Sequence, residues 1–318
     1  MNYIVLDLEW NQSPNGKEYS IAEMPFEIIQ IGAVKMTHDM QQVSEFERWI
    51  NPRQYTQLHS VIQELLGITS DELKEKGKDF HDVIREFLDW CGDDYIFCTW
   101  GSADLIELQR NMNYYGIENR FPMPFTYYDV QKLFSIAYMD GKSRITLQHA
   151  IEMLDIIQDE EYHFALNDAR YTAKVMQRLD MNSVGKYLNI DTYKIPDSAR
   201  NEICMDFGEY CKYISRGFKD RDAALSDRNV RACKCFKCGK NLKKINKWFA
   251  TNSKTYYGLF SCEQHGLIKG RFKVKQADNK MYYVVKIMKL TDEKGAAKIG
   301  QKKAHEIEHR REKRHKKA

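Results

Sequence analysis

Apolar and polar positions fall into short blocks over the first 180 residues, and the period within each block separates strands from helices. YIVLDLEW (3–10) and EIIQIGAVKM (27–36) are brief, apolar and rich in β-branched residues, the pattern of strands buried in a sheet; QVSEFERWINP (42–52) predicts a third. Asp79 is placed to cap a helix in which Phe80, Val83, Ile84, Phe87, Leu88 and Cys91 form one apolar stripe. YIFCTW (95–100) predicts another buried strand, Ala103 to Tyr115 a helix closed by Gly116, and Thr126 to Val130 a further strand. Helical spacing returns near 130–139, 146–155 and 164–180. Three strands followed by alternating helices and strands predict an α/β or mixed domain with one central sheet covered by helices.

From 183 to 230 the pattern weakens, and the segment reads as a partly helical connector. Residues 231–290 carry short strand-like runs (TYYGLFSC, GRFKVKQ, MYYVVKIMKL) suited to a small β module, and 291–318, poor in apolar residues, reads as a basic disordered tail. A chain of 318 residues is long enough for two domains. No stretch approaches the ~20 apolar residues of a spanning helix, and an acid at position 7 argues against a secretory signal, so a cytoplasmic protein without a membrane partner is expected.

Charge changes this picture. Residues 1–230 hold 24 Lys plus Arg against 38 Asp plus Glu, a net −14, whereas 231–318 hold 25 against 7, a net +18. A basic appendage on an acidic body suits a polyanion such as nucleic acid, although a short basic end can equally be a solvated tail.

Asp7 and Glu9 lie two apart on an apolar strand, so both carboxylates point to one face. Two buried anions side by side call for a divalent cation, while the same pair at an exposed strand end calls for none. Asp104 falls in the first turn of the helix after YIFCTW, where the helix dipole favours an acid with or without a task. His163 and Asp168 are spaced H-x4-D at the start of another helix, with Ala165 and Ala169 small enough to let its backbone approach the sheet.

The set of D-x-E on the first strand, a lone Asp near 100 and H-x4-D on the last helix resembles the DnaQ-like 3′–5′ exonuclease superfamily, DEDDh branch. LHSVIQELLGIT (58–69) and TWGSADL (99–105) resemble its Eri/KapD-type members, and Phe164 stands where the sister branch has a Tyr. The resemblance covers residues 1–182 and implies a ribonuclease H-like fold, an α/β mixed sheet flanked by helices, with two Mg²⁺ or Mn²⁺ ions held by Asp7, Glu9, Asp168 and Asp104, the last directly or through water. It implies His163 as the base that takes a proton from the attacking water, imidazole titrating near ~6.5. Nucleoside 5′-monophosphates would leave from the 3′ end of single-stranded nucleic acid, RNA favoured over DNA. Leu8 and Trp10 flank the acids and could touch the terminal nucleotide, Leu8 being equally suited to the core. The rivals are a DNA-trimming or proofreading exonuclease and a catalytically weak nucleic-acid-binding adaptor; the complete set of five argues against the adaptor.

Cys235-x2-Cys238-Gly239 and Cys262-x2-His265-Gly266 have the form of two knuckles of a zinc-ribbon-like module, each offering two ligands to one tetrahedral Zn²⁺. Cys233 could replace Cys235. Lys237, Lys240, Lys243 and Lys244 surround the first knuckle and could hold phosphates, with Trp248 either stacking on a base or packing in the core.

Overall fold

The apolar run at the start forms β1 (Asn2–Gln12), whose two faces serve two different layers of helices. The computed structural model describes residues 1–315 and divides into two units, Met1–Tyr193 and the described residues from Lys194 onward. In the first unit β1 pairs antiparallel with β2 (Phe26–Met36), which pairs antiparallel with β3 (Gln42–Trp49). Helices α1 (Ser60–Leu66), α2 (Ser70–Lys76) and α3 (Phe80–Cys91) follow, then β4 (Tyr95–Thr99), parallel to β1, and α4 (Ala103–Tyr114). β5 (Thr126–Asp129) is parallel to β4; α5 (Val130–Tyr138), α6 (Leu147–Met153), α7 (Ala165–Gln177) and α8 (Met181–Val184) lead to the short β6 (Asn189–Ile190), antiparallel to β5. The strand order β3-β2-β1-β4-β5-β6 is a mixed sheet flanked by helices, the central sheet the hydrophobic pattern predicts and the mixed arrangement the resemblance implies.

Period two along β1 divides the core. Tyr3 and Val5 pack with Val34 and Met36 beneath α5, α6 and α7, while Ile4, Leu6 and Leu8 pack with Phe80, Val83 and Phe87 of α3 and Leu105 and Leu108 of α4. Helix α3 begins where expected, with the Asp79 side chain accepting from the His81 amide at 3.0 Å. Helix α2 is opened by a capping box, in which Thr69 accepts from the Glu72 amide and Glu72 accepts from the Thr69 amide.

The second unit departs from expectation at both ends. Residues 183–230 are not a connector: α8 and β6 belong to the first unit, and β7 (Ile203–Asp206) and β8 (Tyr210–Ile214) form a hairpin of the second. Strands of four and five residues carry too few alternations to stand out in the sequence. After α9 (Arg221–Ser226) and α10 (Arg228–Arg231), β9 (Lys243–Ala250), β10 (Thr255–Cys262), β11 (Gly266–Gln276) and β12 (Tyr282–Leu290) complete a sheet of order β7-β8-β12-β11-β10-β9. One face carries Phe272, Val274 and Val284 under Ala224 of α9 and Val230 of α10.

Nor is the tail disordered over its described length, since Glu293–His315 forms helix α11. Its first turns dock on the sheet, with Ile299 only 5% exposed and Lys303 donating to Asn246 Oδ1 at 2.9 Å. Ala, Lys, Gln, Glu and Arg are good helix formers, so contacts with the sheet at a few points, from Ile299 to Arg310 on the Ala250 carbonyl, suffice to organise a polar sequence. Residues 316–318 lie outside the described residues.

Candidate active site

Asp7 and Glu9 project from the same face of β1, opposite Gly32 and Gln30 of β2 in register. Asp104, 6% exposed, stands in the first turn of α4. β1 pairs with β4 only as far as Val5, and the backbone of Leu8 beyond that point, with that of Asp104 itself, acts to lower the pKa of the Asp104 carboxyl. From the other side, Asp168 lies in the first turn of α7, and its Oδ2 accepts from the His163 amide at 3.3 Å. His163 is exposed, and its backbone is left-handed (φ 68°), an unusual conformation for a side-chain-bearing residue. One ligand atom each of Glu9, His163 and Asp168 lie within 4.8 Å of one another.

Two residues that the sequence reading passed over bring α7 to this place. A Cβ on Gly32 would lie 2.0 Å from the Leu166 nitrogen and 2.1 Å from the Ala165 carbonyl carbon, so only glycine allows the helix backbone to rest on β2. Phe164, the N-cap of α7, supplies no capping side chain; Gln30, fully buried, accepts from the Ala165 amide at 3.0 Å and anchors its own amide on Glu47. Ala165 and Ala169 are fully buried, consistent with a close approach to the sheet. Asn11, also fully buried, holds the 55–59 loop beside the end of β1, donating to the Tyr55 and Gln57 carbonyls and accepting from the His59 amide.

Crowding shows in the electrostatics. Burial, then the charges of Asp104, Asp168 and Glu9, push the Asp7 carboxyl well above its usual range. Glu9 is raised to about 8 by burial and then by Asp168 and Asp104, and Asp104 to about 7, mainly by burial, against the lowering effect of those two backbone groups. Asp168 rises to about 6 through burial, with His163 pulling the other way. Asp168 Oδ1 is moreover buried with no hydrogen-bond partner. Hard oxygen donors that are under-satisfied and mutually repulsive fit a site for divalent cations of the Mg²⁺ or Mn²⁺ type.

The flanking residues divide. Leu8 is 3% exposed and belongs to the core with Ile28, Ile31 and Leu105; this corrects the expectation of a substrate contact from its side chain, and its part in the site is its backbone. Trp10, just past a register shift after Glu9, is half-buried against Phe26, with ring centroids 5.9 Å apart.

In the second unit, ligand atoms of Cys235, Cys238, Cys262 and His265 all lie within 4.8 Å of one another. Cys235 Sγ and Cys262 Sγ each lie 3.6 Å from His265 Nδ1, and Cys238 Sγ lies 3.6 Å from Cys262 Sγ. A tetrahedron with a metal–sulfur bond of ~2.3 Å has edges of about 3.7 Å, so the four fit one zinc ion. Gly239 and Gly266 take φ of 71° and 74° in the two turns, which a side chain would resist. Cys233 stands apart, its thiol on the Arg231 carbonyl at 3.3 Å. Lys237 is ion-paired with Asp206, whereas Lys240, Lys243 and Lys244 are exposed. Trp248 packs against Phe260 and Phe272, the core alternative.

Four carboxylates and a histidine gather at the end of the central strand of a mixed sheet, and residues 4–176 match the RNase_T exonuclease family; the chain belongs to that family of phosphodiester hydrolases. Among individual proteins it is similar to 3′–5′ exoribonuclease 1 of Homo sapiens, 24% identical over 170 residues that make up 49% of this chain and 47% of that one. The chain spans about half the length of the exoribonucleases it matches. A 78-residue stretch, 24% of this chain and 5% of the other, is 38% identical to the PolC-type DNA polymerase III of Bacillus subtilis (strain 168). The crystal structure of a full-length 3′-exonuclease aligns with 59% of this chain and 84% of its own, at 23% identity and a TM-score of 0.48. Among the described residues no helix is long and apolar enough to cross a membrane.

Proposed function

We propose that the protein is a divalent-metal-dependent 3′–5′ exonuclease of single-stranded nucleic acid, RNA before DNA, releasing nucleoside 5′-monophosphates. The observation that carries this reading is the convergence of Asp7, Glu9, Asp104 and Asp168 with an orphaned Asp168 oxygen beside the exposed His163. Asp7, Glu9 and Asp168 would hold two Mg²⁺ or Mn²⁺ ions, with Asp104 contributing directly or through water. Bound there, the ions supply charge stabilisation for the attacking and leaving oxygens of an in-line displacement at phosphorus.

His163 accepts the proton of the water that attacks the last phosphodiester; the P–O3′ bond breaks, the departing O3′ takes a proton from solvent to become the new 3′ hydroxyl of the shortened strand, and the nucleoside 5′-monophosphate leaves. The exposure of His163 suits it to exchange that proton with solvent. Trp10, half-exposed next to Glu9, offers its ring to the terminal nucleotide. Cys235, Cys238, Cys262 and His265 hold a structural Zn²⁺, and Lys240, Lys243 and Lys244, with Lys237 turned toward Asp206, add positive charge for the strand.

The similarity to proteins named exoribonucleases ranks RNA first; the shorter match to a DNA polymerase favours the second reading, a DNA-trimming enzyme. Incubating the full chain and Mn²⁺ with 5′-labelled single-stranded RNA and DNA of equal length decides between them. Progressive shortening that keeps the label, faster on RNA, is the expected result. Faster shortening of DNA selects the second reading, and no shortening of either defeats both.

A further inference from the structure

The six strands of the second sheet contain a single acidic residue, Asp206, and it is paired in register with Cys211, on the face that carries the cysteine cluster. The opposite face therefore draws no negative charge from its strands. Along β11 the alternation that buries Ile268, Phe272 and Val274 turns Arg271, Lys273 and Lys275 outward, all three exposed. Register places Ile287 and then Lys212 beside Arg271 on one side and Tyr257 on the other; Val285 lies beside Lys273. Arg271 and Lys273 make no ion pair among the described residues. Tyr257 is covered by Lys302 of α11, whose ammonium sits 5.1 Å from the ring centroid. The open part of the face is thus cationic, its two neighbouring rings already covered: Tyr257 by Lys302, and Tyr283, beside Lys275, at 4% exposure.

We propose that this face binds the backbone of single-stranded nucleic acid, its phosphates lying along Arg271, Lys273 and Lys275. Three cations at alternate positions of a strand are spaced about 7 Å apart in a line, a regular array that suits a chain of phosphates. With no free ring in the row, recognition is of charge, steeply salt-dependent and indifferent to base sequence. Of the knuckle lysines only Lys243 shares this face, in register with Ser261 and Leu267 beyond the row; the proposal rests on the reading of the protein as a nuclease of single strands.

The test is fluorescence anisotropy of the full chain with a long labelled oligouridylate, in an Asp7→Ala background so that the probe is not consumed. Arg271→Glu/Lys273→Glu/Lys275→Glu should weaken binding at least ~10-fold and flatten the slope of log affinity against log salt by about 2, from ~0.7 per phosphate contact. The charge-conserving set Arg271→Lys/Lys273→Arg/Lys275→Arg should bind as the parent does. Arg271→Ala and Lys273→Ala, made singly, should each flatten the slope by ~0.7 even where the triple reversal fails to fold. Unchanged affinity and slope in these variants, or loss of binding in the charge-conserving set, would overturn the proposal. So would failure of the parent to bind, which would direct the face to an acidic protein instead. The two readings fail separately: a chain with Asp7 intact that binds the strand but never shortens it leaves this surface standing and defeats the exonuclease.

Discussion

Asp7 is the residue on which the active-site electrostatics converge, because three other carboxylates act on it across a partly buried space. Removing such a group relieves repulsion while deleting a cation ligand. Asp7→Ala and Asp168→Asn should each lower turnover by orders of magnitude, yet leave the metal-free melting temperature unchanged or higher; turnover within a few fold of the parent would refute the assignment. His163→Ala should lose most activity at neutral pH and regain part of it in alkali, where hydroxide itself attacks. A pH–rate profile of the parent's shape and height would remove His163 from the mechanism.

The raised carboxyls also set a stability prediction whose sign is opposite to the common acidic case. An unfolded Glu releases its proton near ~4.3, whereas folded Glu9 retains it to about 8 and Asp168 to about 6. Across that window the folded chain binds more protons than the unfolded one, so without Mg²⁺ or Mn²⁺ its contribution to stability is full at low pH and is lost as pH rises. Melting temperature should fall between about pH 5 and 8 and recover on adding Mn²⁺. A flat profile in the metal-free protein would mean that the four carboxylates are less crowded than their placement indicates.

At the scale of elements, the contact of α7 with β2 matters most, since it carries His163 and Asp168 to the acids of β1. Gly32 lies across from Asp7, and the helix backbone fills the space where its Cβ would be. Gly32→Ala should therefore cost ~1–3 kcal/mol or more in urea unfolding, as overpacking does, and should depress turnover with Asp7 and Asp168 both intact. A variant as stable and as active as the parent would show that α7 can stand off the sheet without consequence. The D-x-E and H-x4-D spacings were legible because period two and the first helical turn dictate where those side chains point. Gln30 and Gly32 were not, because a glutamine and a glycine inside a strand do not say which helix will lie above them.

At the scale of the whole molecule, two units with separate cores invite separate perturbation. The sheet of the second unit closes around the Cys235, Cys238, Cys262 and His265 cluster, alongside Phe260, Ile268 and Met288. Metal analysis of the parent should find one equivalent of zinc, and Cys238→Ser should lose it and lower the unfolding temperature of this unit, because ligand binding and folding are coupled in so small a module. Full zinc content in that variant would exclude Cys238 as a ligand.

What the sequence determined by itself is whatever short-range periodicity and ligand spacing control: the longer strands and helices of the first sheet, the shared face of Asp7 and Glu9, the helix starts that carry Asp104 and Asp168, and the two knuckles with their glycines; the grouping of the five site residues came from the family resemblance. Tertiary structure alone decided the rest. Leu8 went to the core because the far face of β1 is covered by α3 and α4, and Trp248 did so because Phe260 and Phe272 meet it there. The segment read as a connector became β7 and β8 because their backbone groups find partners on β12, far away in the chain, and the polar tail became α11 because a few of its residues, from Ile299 to Arg310, found a sheet to rest on. These outcomes depend on partners distant in sequence, and local pattern holds no record of which partner will arrive.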